Sequence, residues 1–315
     1  MQVANAACIV GTQEDVSVNN TTFRFLLLTT TAFAFATSSL APAQTFKTID
    51  FPGATATTIA GGPNNQGDSV GQETNTAGVS HGFILSANGN FKVIDPPGST
   101  WTLPNYIVDD GTVVGQYLDS NQVTHGFILS QGHYTKFDVP GALAAGLSGR
   151  NIYGEMTGFT CINEANCENT NYASFTVSRD GKITQFNPFD APSSFASNVN
   201  ARGVIPGTYF DSSGTAHGYV LAGGQFTENN FPGGTFTFNG GINAQGDIVG
   251  YYADTAGVFH SFLLRDGHYT SFDPPGAIFS DAAGINSSDE IVGFYIDSND
   301  VSHGYIRWPC GKKMK

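Results

Sequence analysis

Hydrophobic and polar positions alternate along this chain in short bursts, each closed by glycine, proline or aspartate. The clearest case is residues 241–277, GINAQGDIVGYYADTAGVFHSFLLRDGHYTSFDPPGA. IVGYY alternates about Gly250 and ends near Asp254, a residue suited to an Asx-type turn, and VFHSFLL returns as the other arm of a hairpin. The turn RDGH leads into YTSFD, which Pro274 and Pro275 stop because proline has no N–H for the ladder. A run of small residues ending at Gly241-Ile242-Asn243, then a turn at AQGD, comes before them. The stretch predicts four short strands, here called A (ending at GIN), B (IVGYY), C (HSFLL) and D (YTSFD).

The same pattern recurs along nearly the whole chain. One anchor, His-Gly-aromatic, stands at His81, His125, His217, His260 and His303, with Ser261 replacing the glycine once. Ala173-Ser174-Phe175 is a degenerate sixth, and successive spacings are 44, 48, 44, 43 and 43. Numbered in chain order these are copies 1 to 6, copy 3 being the degenerate one. A second anchor, apolar-Asp-x-Pro-Gly, spans 49–53, 94–98, 137–141 and 272–276, with weaker forms at 186–190 and 229–233.

A unit of about 44 residues with four strands cannot bury both faces of its sheet alone, so it must stack on neighbours. Six units set radially make an all-β, six-bladed β-propeller of four-stranded blades, with the small residues of strand A crowding the axis. The ends of the chain fit closure. Residues 45–54, TFKTIDFPGA, read as a D strand lacking A, B and C, and residues 303–308, HGYIRW, read as a C strand lacking its D. The N-terminal strand should therefore complete the last blade. A linear β-solenoid is the alternative, and it does not predict complementary ends.

The combination GIN-x-x-G-x-IVG, an Asp and Gly in a hairpin, His-Gly-Phe and FDxPGA resembles the HAF repeats of extracellular bacterial proteins. The resemblance covers about residues 45–309 and departs mainly in copy 3. It implies secretion and a repeat fold, and carries no activity, cofactor or site residue with it.

Composition narrows the partners. With 39 Gly, 14 Pro and 12% aromatic residues the chain is turn-rich and β-prone, and its 12% of charged residues is about half the usual soluble share. Formal net charge is -13, and three of the 13 basic residues, Lys312, Lys313 and Lys315, sit at the end of the chain. That excludes the basic footprint a nucleic-acid partner needs. Arg24 precedes the apolar run 25–36, FLLLTTTAFAFA, and Ala41 and Ala43 stand where a signal peptidase favours small residues. The expected organisation is a signal peptide over 1–43, the propeller over 44–309 and a basic tail over 310–315, in a monomeric protein secreted to the periplasm or beyond. A membrane anchor is the rival, but the run is shorter than the roughly 20 apolar residues a span needs. In an oxidising compartment Cys161 and Cys167 are expected to form a disulfide, with a two-thiol metal site as the poorer alternative. Cys310 is left as an odd thiol near Trp308.

The repeated polar residues are candidates, and each has a scaffold reading. His81, His125, His217, His260 and His303 could form a ring of ligands, but a His at one place per copy more readily bonds a neighbouring strand or turn. The B–C hairpin acids Asp119, Asp211, Asp254 and Asp297 could bind calcium, against which stands ordinary turn capping. No other cofactor is expected. Asp50, Asp95, Asp138 and Asp273, each before a proline or one residue from it, read as turn caps.

Function is better sought where the repeat breaks. Taking Gly154 as the strand-B glycine of copy 3, that copy loses four residues before strand B and gains nine in the following hairpin. The gained segment holds both cysteines with Asn163, Glu164, Asn166 and Glu168. Trp101 follows the Pro-Gly of copy 2 and should share the face formed by the B–C hairpins and D–A connections. An aromatic face with nearby amides and acids is a sugar platform, while the plain alternative is a Trp packed between blades. Arg150 and Arg202, in A–B turns, belong to the opposite face. No nucleophile elbow, zinc-protease motif, P-loop or dinucleotide fingerprint is present, and carboxylates for glycoside hydrolysis would have to be drawn from Glu73, Glu155, Glu164 or Glu168. Two readings follow: a secreted module binding glycan or envelope material, or a propeller enzyme cleaving a polysaccharide or ester.

Overall fold

The computed structural model describes residues 44–163, 167 and 171–309, and over these the hydrophobic pattern becomes 24 strands. The expected signal peptide, Glu164, Asn166, Glu168, Cys310 and the basic tail lie outside the described residues. The chain opens with β1 (Gln44–Ile49). Copy 1 is β2 (Ala56–Gly61), β3 (Ser69–Thr74), β4 (Ser80–Leu85) and β5 (Phe91–Ile94). Copy 2 is β6 (Trp101–Ile107), β7 (Val113–Leu118), β8 (Thr124–Ser130) and β9 (His133–Phe137). Copy 3 is β10 (Ala144–Arg150), β11 (Met156–Cys161), β12 (Ala173–Val177) and β13 (Ile183–Phe186). Copy 4 is β14 (Ser193–Ala196), β15 (Ile205–Phe210), β16 (Ala216–Ala222) and β17 (Gln225–Glu228). Copy 5 is β18 (Phe236–Ile242), β19 (Ile248–Ala253), β20 (Phe259–Arg265) and β21 (His268–Phe272). Copy 6 is β22 (Ala277–Ile285), β23 (Ile291–Asp297) and β24 (Ser302–Pro309).

Copies 1 to 4 each form a separate four-stranded antiparallel sheet. Copies 5 and 6 share one eight-stranded sheet, joined between them at the single parallel pair Phe259–Phe279. β1 supplies the missing fourth strand beside β24, from Gln44 opposite Pro309 to Ile49 opposite Gly304. Strands β2, β6, β10, β14, β18 and β22 converge, since residues from all six line one cavity on a common axis. Sheets stacked radially in this way make a β-propeller of four-stranded blades.

Two of the recurring residues need each other. The aromatic of each His-Gly-aromatic anchor, Phe83, Phe127, Phe175, Tyr219, Phe262 and Tyr305, is 0% exposed. Its ring fills the space over the strand-B glycine: a Cβ on Gly293 would meet Tyr305 at 3.0 Å and the Asp281 carbonyl at 1.9 Å. Only glycine lets strands A and B and the ring approach so closely. Burying such rings contributes about 2–3 kcal/mol each, which is why every copy keeps one. Closer to the axis, a Cβ on Gly284 would lie 1.6 Å from the Gly62 carbonyl, which brings copy 6 directly against copy 1.

Candidate functional site

The His residues sit in clamps built from both ends of a blade. Nδ1 of His81, His125, His260 and His303 lies 2.8, 2.6, 2.6 and 2.7 Å from Asp95, Asp138, Asp273 and Asp50. The acids before the prolines therefore hold imidazoles, and the turn-cap reading of them gives way. A carboxylate lying beside a ring nitrogen at the end of the adjacent D strand gains a charge-assisted bond that the turn cannot offer. Asp95 and Asp273 also accept the backbone N–H of Gly82 and Ser261. In copy 4 Asn230 takes the same place, 3.2 Å from His217 Nδ1. The His303–Asp50 pair spans 253 positions and fastens β1 to the last copy.

On the other side, Nε2 of His125, His217, His260 and His303 faces Asp119, Asp211, Asp254 and Asp297 at 3.4, 3.1, 3.6 and 3.6 Å. Oδ1 of each of these acids accepts two backbone N–H groups across its own hairpin. The N–H groups of Val123, Val258 and Val301 are the main reason that Asp119, Asp254 and Asp297 are held below the usual carboxylate range. Among the described residues no group of three or more His, Cys, Asp or Glu is arranged to hold a metal ion.

The Asn of each GIN does comparable work on the opposite face. Its Oδ1 closes the A–B turn, as Asn243 does for Gly246 and Asp247. Its Nδ2 then reaches the next blade: Asn151 to Asn200, Asn200 to Asn243, Asn243 to Asn286 and Asn286 to Asn64, each to the backbone carbonyl at 3.0–3.4 Å. Asn64 Nδ2 donates to the Val108 backbone carbonyl, and Val108, which has no side-chain amide, does not pass the relay on. Arg150 and Arg202 lie on this face, bonded to Asp110 and to the Gln245 carbonyl.

The axial cavity, about 290 Å³, is the place where chemistry from every blade converges. Ile59, Pro104, Leu147, Ala196, Asn239 and Ala282 pair with the strand-B glycines. The residues just before them, Thr58, Leu103, Gly146, Phe195, Phe238 and Asp281, are therefore equivalent. Phe195, Phe238 and Asp281 line the cavity with Phe159, Tyr106 and Gln116. From its wall toward the B–C hairpins runs an arc of ten rings, Phe159, Tyr172, Phe195, Phe210, Phe236, Phe238, Tyr251, Phe259, Phe279 and Phe294, whose neighbouring centroids lie 5.1–6.5 Å apart. All ten are partly exposed. Copies 1 and 2 put amides, Gln72 and Gln116, where copies 3, 5 and 6 put Phe159, Tyr251 and Phe294. One side of the channel is thus aromatic and the other amide.

Asp281 is the one charged residue among the described residues lining this cavity. Its side chain keeps some exposure to the channel, yet protein surrounds it, its Oδ1 is shut off from solvent, and that atom has no hydrogen-bond partner. Burial raises its carboxyl to about 7. The sequence carries a signal for it: Asp281 stands five positions before Asn286, where copies 2, 4 and 5 have Leu103, Phe195 and Phe238 at the same offset from Val108, Asn200 and Asn243.

Trp101 opens β6 at the register position of Phe236 and Phe279, partly exposed. The D–A connections do share a face with the B–C hairpins, as Thr55, Thr100 and Thr235 bond to Asn75, Asp119 and Asp254 carbonyls. Cys161 and Cys167 are disulfide-bonded with Cα atoms 5.4 Å apart, and Asn163 is exposed beside them. The register of copy 3 needs correction. Gly154 lies in the A–B turn with φ +87°, closing on Asn151, and Gly158 is the glycine that pairs with Leu147 and Phe175. Gly141 to Gly158 is 17 positions, as in copies 2, 4, 5 and 6, and Gly158 to Ala173 is 15 against 10, so copy 3 gains five residues in its hairpin and loses none before it. The motif Asn-x-x-Gly of the turn was the overlooked signal.

No protein-family model matches the chain, and no curated protein does. Solved structures do. A mutant of AofleA from Arthrobotrys oligospora aligns with TM-score 0.53 at 13% identity, over 85% of this chain and 88% of that one. A mutant of Aleuria aurantia lectin in complex with α-methyl-L-fucoside aligns at 0.51 and 11% identity, over 84% and 95%. A gluconolactonase from Xanthomonas campestris aligns at 0.51 and 11%, over 84% and 89%. Among the described residues no helix is long and apolar enough to cross a membrane. What these likenesses establish is the fold, a β-propeller of four-stranded blades.

Proposed function

We propose that this chain is a secreted, six-bladed β-propeller of the HAF-repeat kind, its eight-stranded sheet counting as two blades. It binds glycan or cell-envelope material on the face of the B–C hairpins. The observation that carries this reading is the arc of partly exposed rings around the channel mouth, set opposite the amides of Gln72 and Gln116. Ring faces stack on the C–H faces of sugars while amides direct hydroxyls. Trp101, at the register of Phe236 and Phe279, extends the platform into copy 2, and Asn163 flanks it from the copy 3 hairpin. That a lectin and a lactonase share the architecture is compatible with binding and with catalysis alike. Binding ranks first because glycoside hydrolysis in its common form needs two carboxylates, and the described lining supplies only Asp281.

The mature chain, titrated against a panel of polysaccharides and peptidoglycan fragments with and without calcium, is expected to bind without releasing product. Phe279→Ala should weaken that binding about tenfold, the upper end of an aromatic contact. Product formation would favour the enzyme reading, and unchanged affinity in a Phe279→Ala, Trp101→Ala double variant would show that the platform is misplaced.

A further inference from the structure

Asp281 is not accounted for by the fold. At its register position the other copies carry Thr58, Leu103, Gly146, Phe195 and Phe238, so a carboxylate is no part of blade construction. Its Oδ1 is buried with no partner. Phe159, Phe195, Phe238 and Tyr106 share its cavity, and Tyr251 stacks on Phe238 at 5.1 Å. Burial chiefly, and the nearby Asp281 charge after it, hold the Tyr251 hydroxyl above its ordinary value. Aromatic faces carry negative potential, so these rings do nothing to stabilise a carboxylate, while ring faces and carboxylate both attract a cation.

We propose that the axial cavity binds the ammonium group of a small organic cation, with Asp281 as its counter-ion and the surrounding rings as its cation–π wall. This goes beyond the glycan reading and does not depend on it. The cavity, about 290 Å³, lies near the lower end of the range for small-molecule sites. A formal net charge of -13 favours the approach of cations over anions to the molecule as a whole. A hydroxyl ligand would bond the carboxylate but bring no positive charge to the ring faces or to the carboxylate. The ammonium could be carried by a free alkylamine or by an amino sugar.

The titratable groups that sense Asp281 from neighbouring strands are the hydroxyls of Tyr251 on β19 and Tyr305 on β24, both held above the ordinary value chiefly by burial. No lysine, arginine or histidine lies among the described lining residues. Near neutral pH the one proton to move in the cavity is therefore that of Asp281, with its carboxyl at about 7, and cation affinity should rise with pH.

Calorimetric titration of the mature chain with choline, at about pH 8.5 and about pH 5.5, tests this beside the neutral tert-butyl isostere of choline. Choline is expected to bind at the higher pH at least about tenfold more tightly than the isostere, and to weaken about tenfold at the lower pH. Asp281→Asn should abolish the preference, and Phe238→Leu should reduce it while leaving Asp281 in place. Glucosamine, compared with N-acetylglucosamine, distinguishes the source: preference for the free amine assigns an amino sugar, and binding of choline alone assigns a free alkylammonium. Equal affinity for choline and isostere, undiminished binding in Asp281→Asn, or no binding of any ammonium compound overturns the proposal. Asp281→Asn is nearly isosteric, and a cooperative thermal transition no lower than that of the natural chain at about pH 5.5 serves as the folding control. Glycan binding retained by Asp281→Asn would show that the two sites stand or fall separately.

Discussion

A carboxyl whose buried oxygen has no partner, set beside aromatic side chains, is a cost that folding must carry. Asp281 has its carboxyl raised from 3.8 to about 7, so the folded chain retains a proton that the unfolded chain gives up. Stability contributed by that proton is complete below about pH 4 and is lost as pH rises through about 7. The sign is opposite to that of Asp119, Asp254 and Asp297, whose lowered values stabilise the fold above the unfolded range and lose that benefit only in acid. At about pH 8.5 the ionised Asp281 costs on the order of 2–4 kcal/mol, tempered by channel water. Asp281→Asn should therefore melt higher than the natural chain at about pH 8.5, higher by less at about pH 5.5, and equally below about pH 4, as read by calorimetry. An equal melting temperature at both pH values would show that Asp281 is well solvated. The residue was open to detection in the sequence, since it breaks the apolar series Leu103, Phe195, Phe238, but only alignment on the GIN anchor reveals the break.

At the scale of the strand and its turns, the asparagines of the GIN anchor do two jobs with one side chain. The oxygen closes the A–B turn and the amide nitrogen bonds the next blade. Asn243 is 4% exposed, so its loss leaves buried donors and acceptors unmet. Asn243→Ala should destabilise the protein by about 1–3 kcal/mol in denaturant unfolding, while Val108→Asn, at the position where the relay is interrupted, should be neutral or stabilising. A loss below roughly 0.5 kcal/mol for Asn243→Ala would show that water replaces the relay. Strand order and strand ends were legible here because alternation, glycine and proline act locally. The copy 3 register was not, because Gly154 and Gly158 are interchangeable by spacing and only pairing with Leu147 and Phe175 separates turn from strand.

For the molecule as a whole, closure rests on β1. It covers the edge of β24 along six paired positions, packs Phe46 at a tilt near Tyr305 and Phe272, and is followed by Asp50, which bonds His303. Removing residues 44–50 would expose a strand edge and the flank of a blade. The truncated chain is expected to lose its cooperative melting transition or to associate, as measured by calorimetry and light scattering. A monomer with an unchanged melting temperature would show that the ring is held mainly by its axial contacts, such as Gly284 against Gly62.

By itself the sequence determined that this is a repeat protein of short antiparallel strands, where each copy turns, and that its two ends are complementary halves of one unit. Those features depend on local chemistry: proline without an N–H, glycine under a ring, aspartate in a hairpin. Only the tertiary structure decided that the aspartates before the prolines grip histidines, that rings from copies 3 to 6 join into one arc, and that Asp281 shares the axial cavity with three of them. Such meetings depend on the order and rotation of the blades around the ring, and residues brought together by closure leave no pattern between neighbours in the chain.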